Sequence, residues 1–168
     1  MTNDQAPTVV VNDASCLIDL RKAKLLHLLV QLPVRLVIPL PVRESELIRF
    51  TPQEWAILDA GIEVFDLPPE LVAEALDVMA AFPGLSANDC FCLVTTRRHD
   101  NAILLTGDGQ LRSVASGDGC RVHGVLWVVD ELRRLALCEG AVIVQALEAW
   151  RDDAAVRLPL AEINRRLR

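Results

Sequence analysis

Apolar runs that break off at an acidic residue constrain this chain more than any other feature in it. Val9-Val10-Val11 runs into Asn12-Asp13, and Leu36-Val37-Ile38 is followed by Glu44 and Glu46. Ala102-Ile103-Leu104-Leu105 leads into Thr106-Gly107-Asp108-Gly109, and Asp89 opens an apolar helical stretch within Leu85-Ser86-Ala87-Asn88-Asp89. Short apolar runs without alternation read as strands buried on both faces, which is the habit of parallel sheets. In an open α/β sheet the carboxyl ends of the strands share one edge, and sites gather there at the switch point of strand order. Acids far apart in sequence can then meet in one pocket. Clustered carboxylates are hard oxygen ligands of the kind Mg²⁺ and Mn²⁺ accept.

The rest of the chain alternates strand and helix. Thr8–Val11 is the first expected strand, followed by a helix over Ser15–Leu32 with Leu17, Leu20, Leu25, Leu28 and Leu29 on a helical spacing. Val34–Ile38 is the second strand, and Pro39 and Pro41 mark the turn into a helix from Val42 to about Phe50. Thr51-Pro52-Gln53-Glu54 has the spacing of a capping box and predicts a helix to about Ala60. Ile62–Leu67 mixes apolar and acidic residues and is expected as an edge strand. Helices are expected over Glu70–Ala81 and, capped by Ser86, over Ala87–His99. Ile103–Leu105 is a strand, Gln110–Ser116 a short helix and Val122 a brief strand. Helices over Val125–Leu137, Ala141–Arg151 and Leu158–Arg168 complete the chain. This order predicts a parallel sheet with helices on both faces.

Composition removes several classes of function. At 168 residues with 52% hydrophobic content, the chain is long enough for one domain with a sizeable core, and disorder is not expected. Residues 152–168, behind the polar Arg151-Asp152-Asp153, are expected as a C-terminal extension helix of that domain. No apolar stretch approaches the ~20 residues of a membrane helix, and Met1–Pro7 lacks the basic and apolar regions of a secretory signal. The cysteines are odd in number (Cys16, Cys90, Cys92, Cys120, Cys138), which favours reduced thiols and a cytoplasmic setting. The net charge of −6 is unlike that of a general nucleic-acid binder. It does not exclude a nuclease, because a bound divalent metal inverts the local field. No His or Cys set has zinc spacing, and Thr106-Gly107-Asp108-Gly109 lacks the Lys of a phosphate-binding loop. Abundant Leu and Val in the helices suggest a homodimer or a partner that covers an apolar face.

Asn12-Asp13-Ala14-Ser15-Cys16-Leu17-Ile18-Asp19-Leu20 resembles the first motif of PIN-domain ribonucleases, an acid after strand one with a Ser or Thr two residues on. Leu85–Phe91, with Asp89 in the first turn of a helix, resembles the third motif, and Leu104–Leu111, with Asp108 after a strand and Thr106, the fourth. The resemblance covers roughly Val9–Leu137 and implies a three-layer α/β/α fold with a central parallel sheet. It also implies metal-dependent hydrolysis of RNA phosphodiesters, with Mg²⁺ or Mn²⁺ held by Asp13, Asp89, Asp108 and a glutamate after strand two. Glu46, which precedes Leu47, fits that fourth position better than Glu44, and the two lie roughly 200° apart around a helix. Ser15 and Thr106 are placed to hydrogen-bond the carboxylates from behind. Relatives of this kind include toxins of toxin–antitoxin pairs, so an antitoxin protein joins RNA among the implied partners.

Simpler readings compete with the shared site. Asp89 can cap its helix, Asp13 can serve a turn, and Asp108 sits between two glycines. A receiver-like regulatory domain would need paired acids after strand one and a late Lys, whereas only Asp13 ends strand one and no Lys follows Lys24. A non-catalytic scaffold of the same fold, acting through protein contacts, is the alternative that stays open.

Overall fold

The structure is a computed structural model that describes residues 6–168. Of the amino-terminal stretch read above for a signal, residues 1–5 lie outside the described residues. Five strands form one all-parallel sheet in the order β3-β2-β1-β4-β5: β1 (Val9–Asn12), β2 (Arg35–Pro39), β3 (Ile62–Phe65), β4 (Ile103–Leu105) and β5 (Arg121–His123). Helices cover both faces, giving the three-layer α/β/α architecture that the alternation predicts. β1 is central, and its four residues are buried on both sides, which is why they read as an unbroken apolar run. Val10 is in register with Leu36 of β2 and Ile103 of β4. β3 stands at the edge, as its acidic alternation implies, with Glu63 and Val64 exposed.

The chain runs from β1 outward to β2 and β3, then returns across to β4 and β5. The switch point therefore falls between the carboxyl ends of β1 and β4, where an open sheet leaves a crevice. Asp13 begins immediately after β1 and Thr106 immediately after β4. The Asp13 amide donates to the Leu105 carbonyl at 3.0 Å, and the Thr106 amide to that of His123 at 2.9 Å, so the ladder fixes both residues.

Helix boundaries differ from the expected ones in instructive places. The long helix expected over Ser15–Leu32 is two: α1 (Ala14–Lys22) and α2 (Leu26–Leu29). The chain turns at Lys24, in the left-handed region with φ 57°, and the Leu25 amide closes on the Leu20 carbonyl at 2.9 Å. That turn lets Leu25, Leu26, Leu28 and Leu29 all reach the core, where a straight helix would have turned part of that cluster to solvent. No Gly marks the break, so the sequence hides it. α3 (Leu40–Glu46) starts earlier and stops four residues sooner than expected, because Leu47 and Phe50 both turn inward. α4 (Pro52–Gly61) carries the expected capping box, with both of its hydrogen bonds present between Thr51 and Glu54.

α5 (Pro69–Ala81) packs on α6 (Ala87–Arg98), which lies against β1, β2 and β4. α7 (Gly109–Gly117) links β4 to β5, and α8 (Val125–Arg134) and α9 (Gly140–Asp152) both pack against α1. The terminal α10 (Leu160–Leu167) packs on α9 through buried Ile163, and Arg166 pairs with Asp130 of α8 at 2.6 Å. Among the described residues no helix is long and apolar enough to cross a membrane. The five cysteines carry free thiols.

Candidate active site

Three helices present their amino termini to the same sheet edge, and each carries an acid there: Asp13 precedes α1, Asp89 lies in the first turn of α6, and Asp108 precedes α7. Helix amino ends favour anionic side chains. The three carboxylates are nevertheless held in different ways.

Asp13 occupies the N-cap position of α1 yet makes no cap hydrogen bond. Its Oδ2 instead accepts from the Ser15 hydroxyl and from the Thr106 hydroxyl, both at 2.7 Å. The carboxylate is only 4% exposed. Burial pushes its pKa above the ordinary Asp value, the two hydroxyls pull against that shift, and the charge of Asp89 adds to it. Ser15 Oγ also accepts from the Gly107 amide at 3.0 Å, and Thr106 Oγ1 from the Asp108 amide at 3.1 Å. Ser15 and Thr106 thus tie the loop after β1 to the loop after β4.

Glu46 ends α3, and both Glu44 and Glu46 are exposed residues. Desolvation of the Glu46 carboxyl raises its pKa, the Asn88 amide opposes this, and the charges of Asp13 and Asp89 raise it further. Asn88 also donates to Ser45 Oγ at 2.8 Å, joining the end of α3 to the start of α6. The charges of Asp13 and Asp89 therefore bear on Glu46, which stands at the same edge as they do. Cys92, on α6, is fully buried, and its thiol pKa is driven well up by burial first, then by the charges of Asp13, Asp89 and Glu46.

Asp89 and Asp108 also do what the simpler readings assigned to them. Asp89 forms a capping box: its Oδ2 accepts from the Ser86 amide at 2.8 Å, and Ser86 Oγ from the Asp89 amide at 3.1 Å. Asp108 caps α7, its Oδ1 accepting from the Leu111 amide at 2.8 Å. Asp108 is exposed and is not among the charges acting on Asp13 or Glu46, so the edge is an Asp13–Glu46–Asp89 group with Asp108 at its rim. Asp19, beside the motif, lies apart: its neighbours are Lys22 and Asp153.

Among the described residues, no three His, Cys, Asp or Glu side chains close into a ready-made metal cage. The donor chemistry still fits a hard divalent cation. The charges acting on Asp13 and Glu46 are those of other acids, which a bound cation would offset. Mg²⁺ binds through one or two carboxylates while keeping several waters, so it does not require a closed cage.

Sequence reasoning overlooked three residues. Asn12 is fully buried at the end of β1, donates to the Val10 and Val37 carbonyls at 3.1 Å each, and leaves its Oδ1 without a partner. An Asn closing a run of valines was the available signal. Cys92 and Arg112, by contrast, carry no signal: each sits in an ordinary helical pattern.

The doubly wound parallel sheet carries these acids at its switch-point edge, the arrangement of the three-layer α/β/α class. The chain belongs to the PIN-domain family, whose model matches residues 9–168. No curated protein matches the chain.

Proposed function

We propose that this protein is a metal-dependent endoribonuclease that hydrolyses RNA phosphodiester bonds. The observation that carries the reading is that the charges of Asp13, Glu46 and Asp89, from three separate elements, meet at one sheet edge. Asp13 and Asp89, with Glu46 and Asp108, would hold Mg²⁺ or Mn²⁺. Bound there, the ion supplies an activated water and neutralises charge that develops on the phosphate. Ser15 and Thr106 hold Asp13 through its Oδ2. Glu46, with its raised pKa and its place at the end of α3, is the group best suited to take or hold a proton at the rim. Residues 152–168 belong to the same domain in this reading, because α10 packs on α9 and the family match extends through it.

The same reading includes a cytoplasmic enzyme acting as the toxin of a toxin–antitoxin pair, as a homodimer or under an antitoxin. Exposed Leu76 and Phe82 on and after α5 support a covered face. The test is direct. Purified protein cuts single-stranded RNA in Mg²⁺ or Mn²⁺, EDTA stops it, and Asp13→Asn abolishes turnover. Cleavage that persists in EDTA, or full activity in Asp13→Asn, sinks the mechanism.

One observation favours a second reading, a non-catalytic PIN-like scaffold or regulatory protein that acts through protein contacts. Asp89 and Asp108 each spend an oxygen on a helix cap, and no ready-made cage exists among the described residues. Metal-dependent cleavage separates the two.

A further inference from the structure

Arg112 stands one turn into α7, its amide on the Asp108 carbonyl at 3.0 Å. Its guanidinium folds back to the sheet edge, where Nη1 donates to the Thr106 carbonyl at 3.2 Å. A Cβ at Gly124 would lie 3.3 Å from that nitrogen, so the group rests on bare backbone between the ends of β4 and β5. Its charge is felt by Cys16, in the first turn of α1, and by His123. It is therefore half-buried beside Ser15 and Thr106, which hold Asp13.

Arg21, Arg43, Arg97 and Arg166 each pair with a carboxylate. Arg112 pairs with none among the described residues, although it borders an edge crowded with acids. A guanidinium offers five donors in a rigid fork that matches a phosphate. A single backbone carbonyl uses one of them. An acid pocket also repels a polyanion, and a cation at its rim that neutralises no protein charge lowers that barrier.

We propose that Arg112 binds a backbone phosphate of the nucleic-acid strand next to the acid site, on its β4–β5 side. This deepens the ribonuclease reading and rests on it for the identity of the strand. The competing role is structural, a latch that merely holds the Thr106 carbonyl.

The test measures binding of a fluorescein-labelled single-stranded RNA by anisotropy across a salt series, in an Asp13→Asn background that cuts nothing. Neutralising one phosphate contact of a single strand contributes about 0.7 to the slope of log affinity against log salt. Arg112→Ala is expected to weaken binding roughly fivefold to tenfold near 0.1 M salt and to reduce the slope by about that 0.7. Arg112→Lys should keep most of the slope, because the charge remains. Arg98→Ala removes the same charge from the far end of α6, roughly 14 Å along that helix from Asp89, and should leave the slope unchanged. A lower melting temperature in Arg112→Ala with unaltered slope and affinity overturns the proposal in favour of the latch. Absence of salt-dependent RNA binding in the Asp13→Asn background also overturns it. An Arg112-dependent slope in a protein whose wild type cuts no RNA would leave the phosphate site standing and remove the nuclease reading. Cleavage with an Arg112-independent slope does the reverse.

Discussion

Thr106→Val is the most informative perturbation of the site that needs no knowledge of the substrate. Thr106 is fully buried, and its hydroxyl makes two hydrogen bonds, donating to Asp13 Oδ2 at 2.7 Å and accepting from the Asp108 amide at 3.1 Å. Val has the same shape, so the change removes the bonds without opening a cavity. A hydrogen bond to a charged group contributes about 1.5–3 kcal/mol and a neutral one about 0.5–1.5 kcal/mol. The expected loss at pH 7 is therefore roughly 2–4 kcal/mol, a fall in melting temperature on the order of 10 °C for a chain of this size. The loss should depend on pH with a definite sign. The hydroxyl favours ionised Asp13, whose folded-state pKa already lies above its ordinary value through burial. Loss of the hydroxyl raises that pKa further in the variant, so the full cost is present only above the variant's folded pKa. It shrinks toward the neutral bond alone as pH falls through the folded pKa, because a protonated Asp13 no longer needs the donor. The other acids of the edge are the same in wild type and variant, so the difference between the two at each pH isolates the Thr106 contribution. Thr106→Ser keeps the hydroxyl and should cost only about 1 kcal/mol for its methyl group. Urea denaturation over a pH series descending from pH 7 to the acid limit of the folded state measures both variants. A Thr106→Val protein as stable as Thr106→Ser at pH 7, or a deficit that does not change with pH, refutes the reasoning.

Other expectations follow from the same geometry. Asp13→Asn should leave the metal-free protein at least as stable at neutral pH, since a raised carboxylate pKa marks an ionised form that the fold disfavours above it. The metal-induced rise in melting temperature, worth about 2.7 kcal/mol at a hundredfold excess over Kd, should shrink in that variant, as differential scanning fluorimetry would show. Glu46→Gln should slow RNA cleavage on the order of 100-fold, whereas Glu44→Gln should match wild type in the same gel assay. Equal effects of the two would contradict the placement of Glu46. Ser86→Ala removes one half of the α6 capping box and should cost about 1 kcal/mol in urea denaturation.

The fold was legible because its signals are local. Pro52 and Pro69 at the first helical positions and the capping residues Thr51 and Ser86 declare their elements within a few residues. The left-handed turn at Lys24 was not legible, because the force that makes it is burial of leucines at a distance and no Gly or Asn announces it. The end of α3 at Glu46 is similar: Leu47 and Phe50 look helical in sequence but are pulled inward by the core. At the site, the position of Asp13 directly after a buried strand and the motif resemblance that brought in Ser15 and Thr106 pointed to one sheet edge, where hydrogen bonds join the three. The choice of Glu46 over Glu44 turned on where α3 stops, which no periodicity reports. Arg112 was invisible for a related reason. Its meaning lies in what it fails to pair with, a property of the assembled edge rather than of the helix that carries it.

The caps on Asp89 and Asp108 bear on how such an edge can work. Read singly, each acid is used in helix formation, and the capping geometry counts against a shared site. Each cap, however, engages one carboxylate oxygen: Oδ2 of Asp89 with the Ser86 amide, and Oδ1 of Asp108 with the Leu111 amide. Among the described residues, the second oxygen of each accepts no other side-chain or amide hydrogen. A carboxylate fixed at one oxygen by backbone has lost its rotamer freedom before any ligand arrives, so ordering it on binding costs less. Asp13 is fixed the same way by two hydroxyls on one oxygen. Capping and ligand binding are therefore compatible uses of these side chains, and helix amino ends are economical places to keep acids poised. Ser86→Ala removes only the Oγ half of the capping box and keeps the amide of residue 86, whereas Ser86→Pro, at a φ of −73° that proline adopts, removes the amide that holds Oδ2 of Asp89 without touching its charge. If the cap preorganises the carboxylate, Ser86→Pro should weaken Mn²⁺ affinity relative to Ser86→Ala, measured by calorimetry on the folded proteins, by a factor on the order of 10, within the range seen when the support of a metal ligand is removed. If Asp89 serves its helix alone, both variants should lower stability and leave Mn²⁺ affinity unchanged.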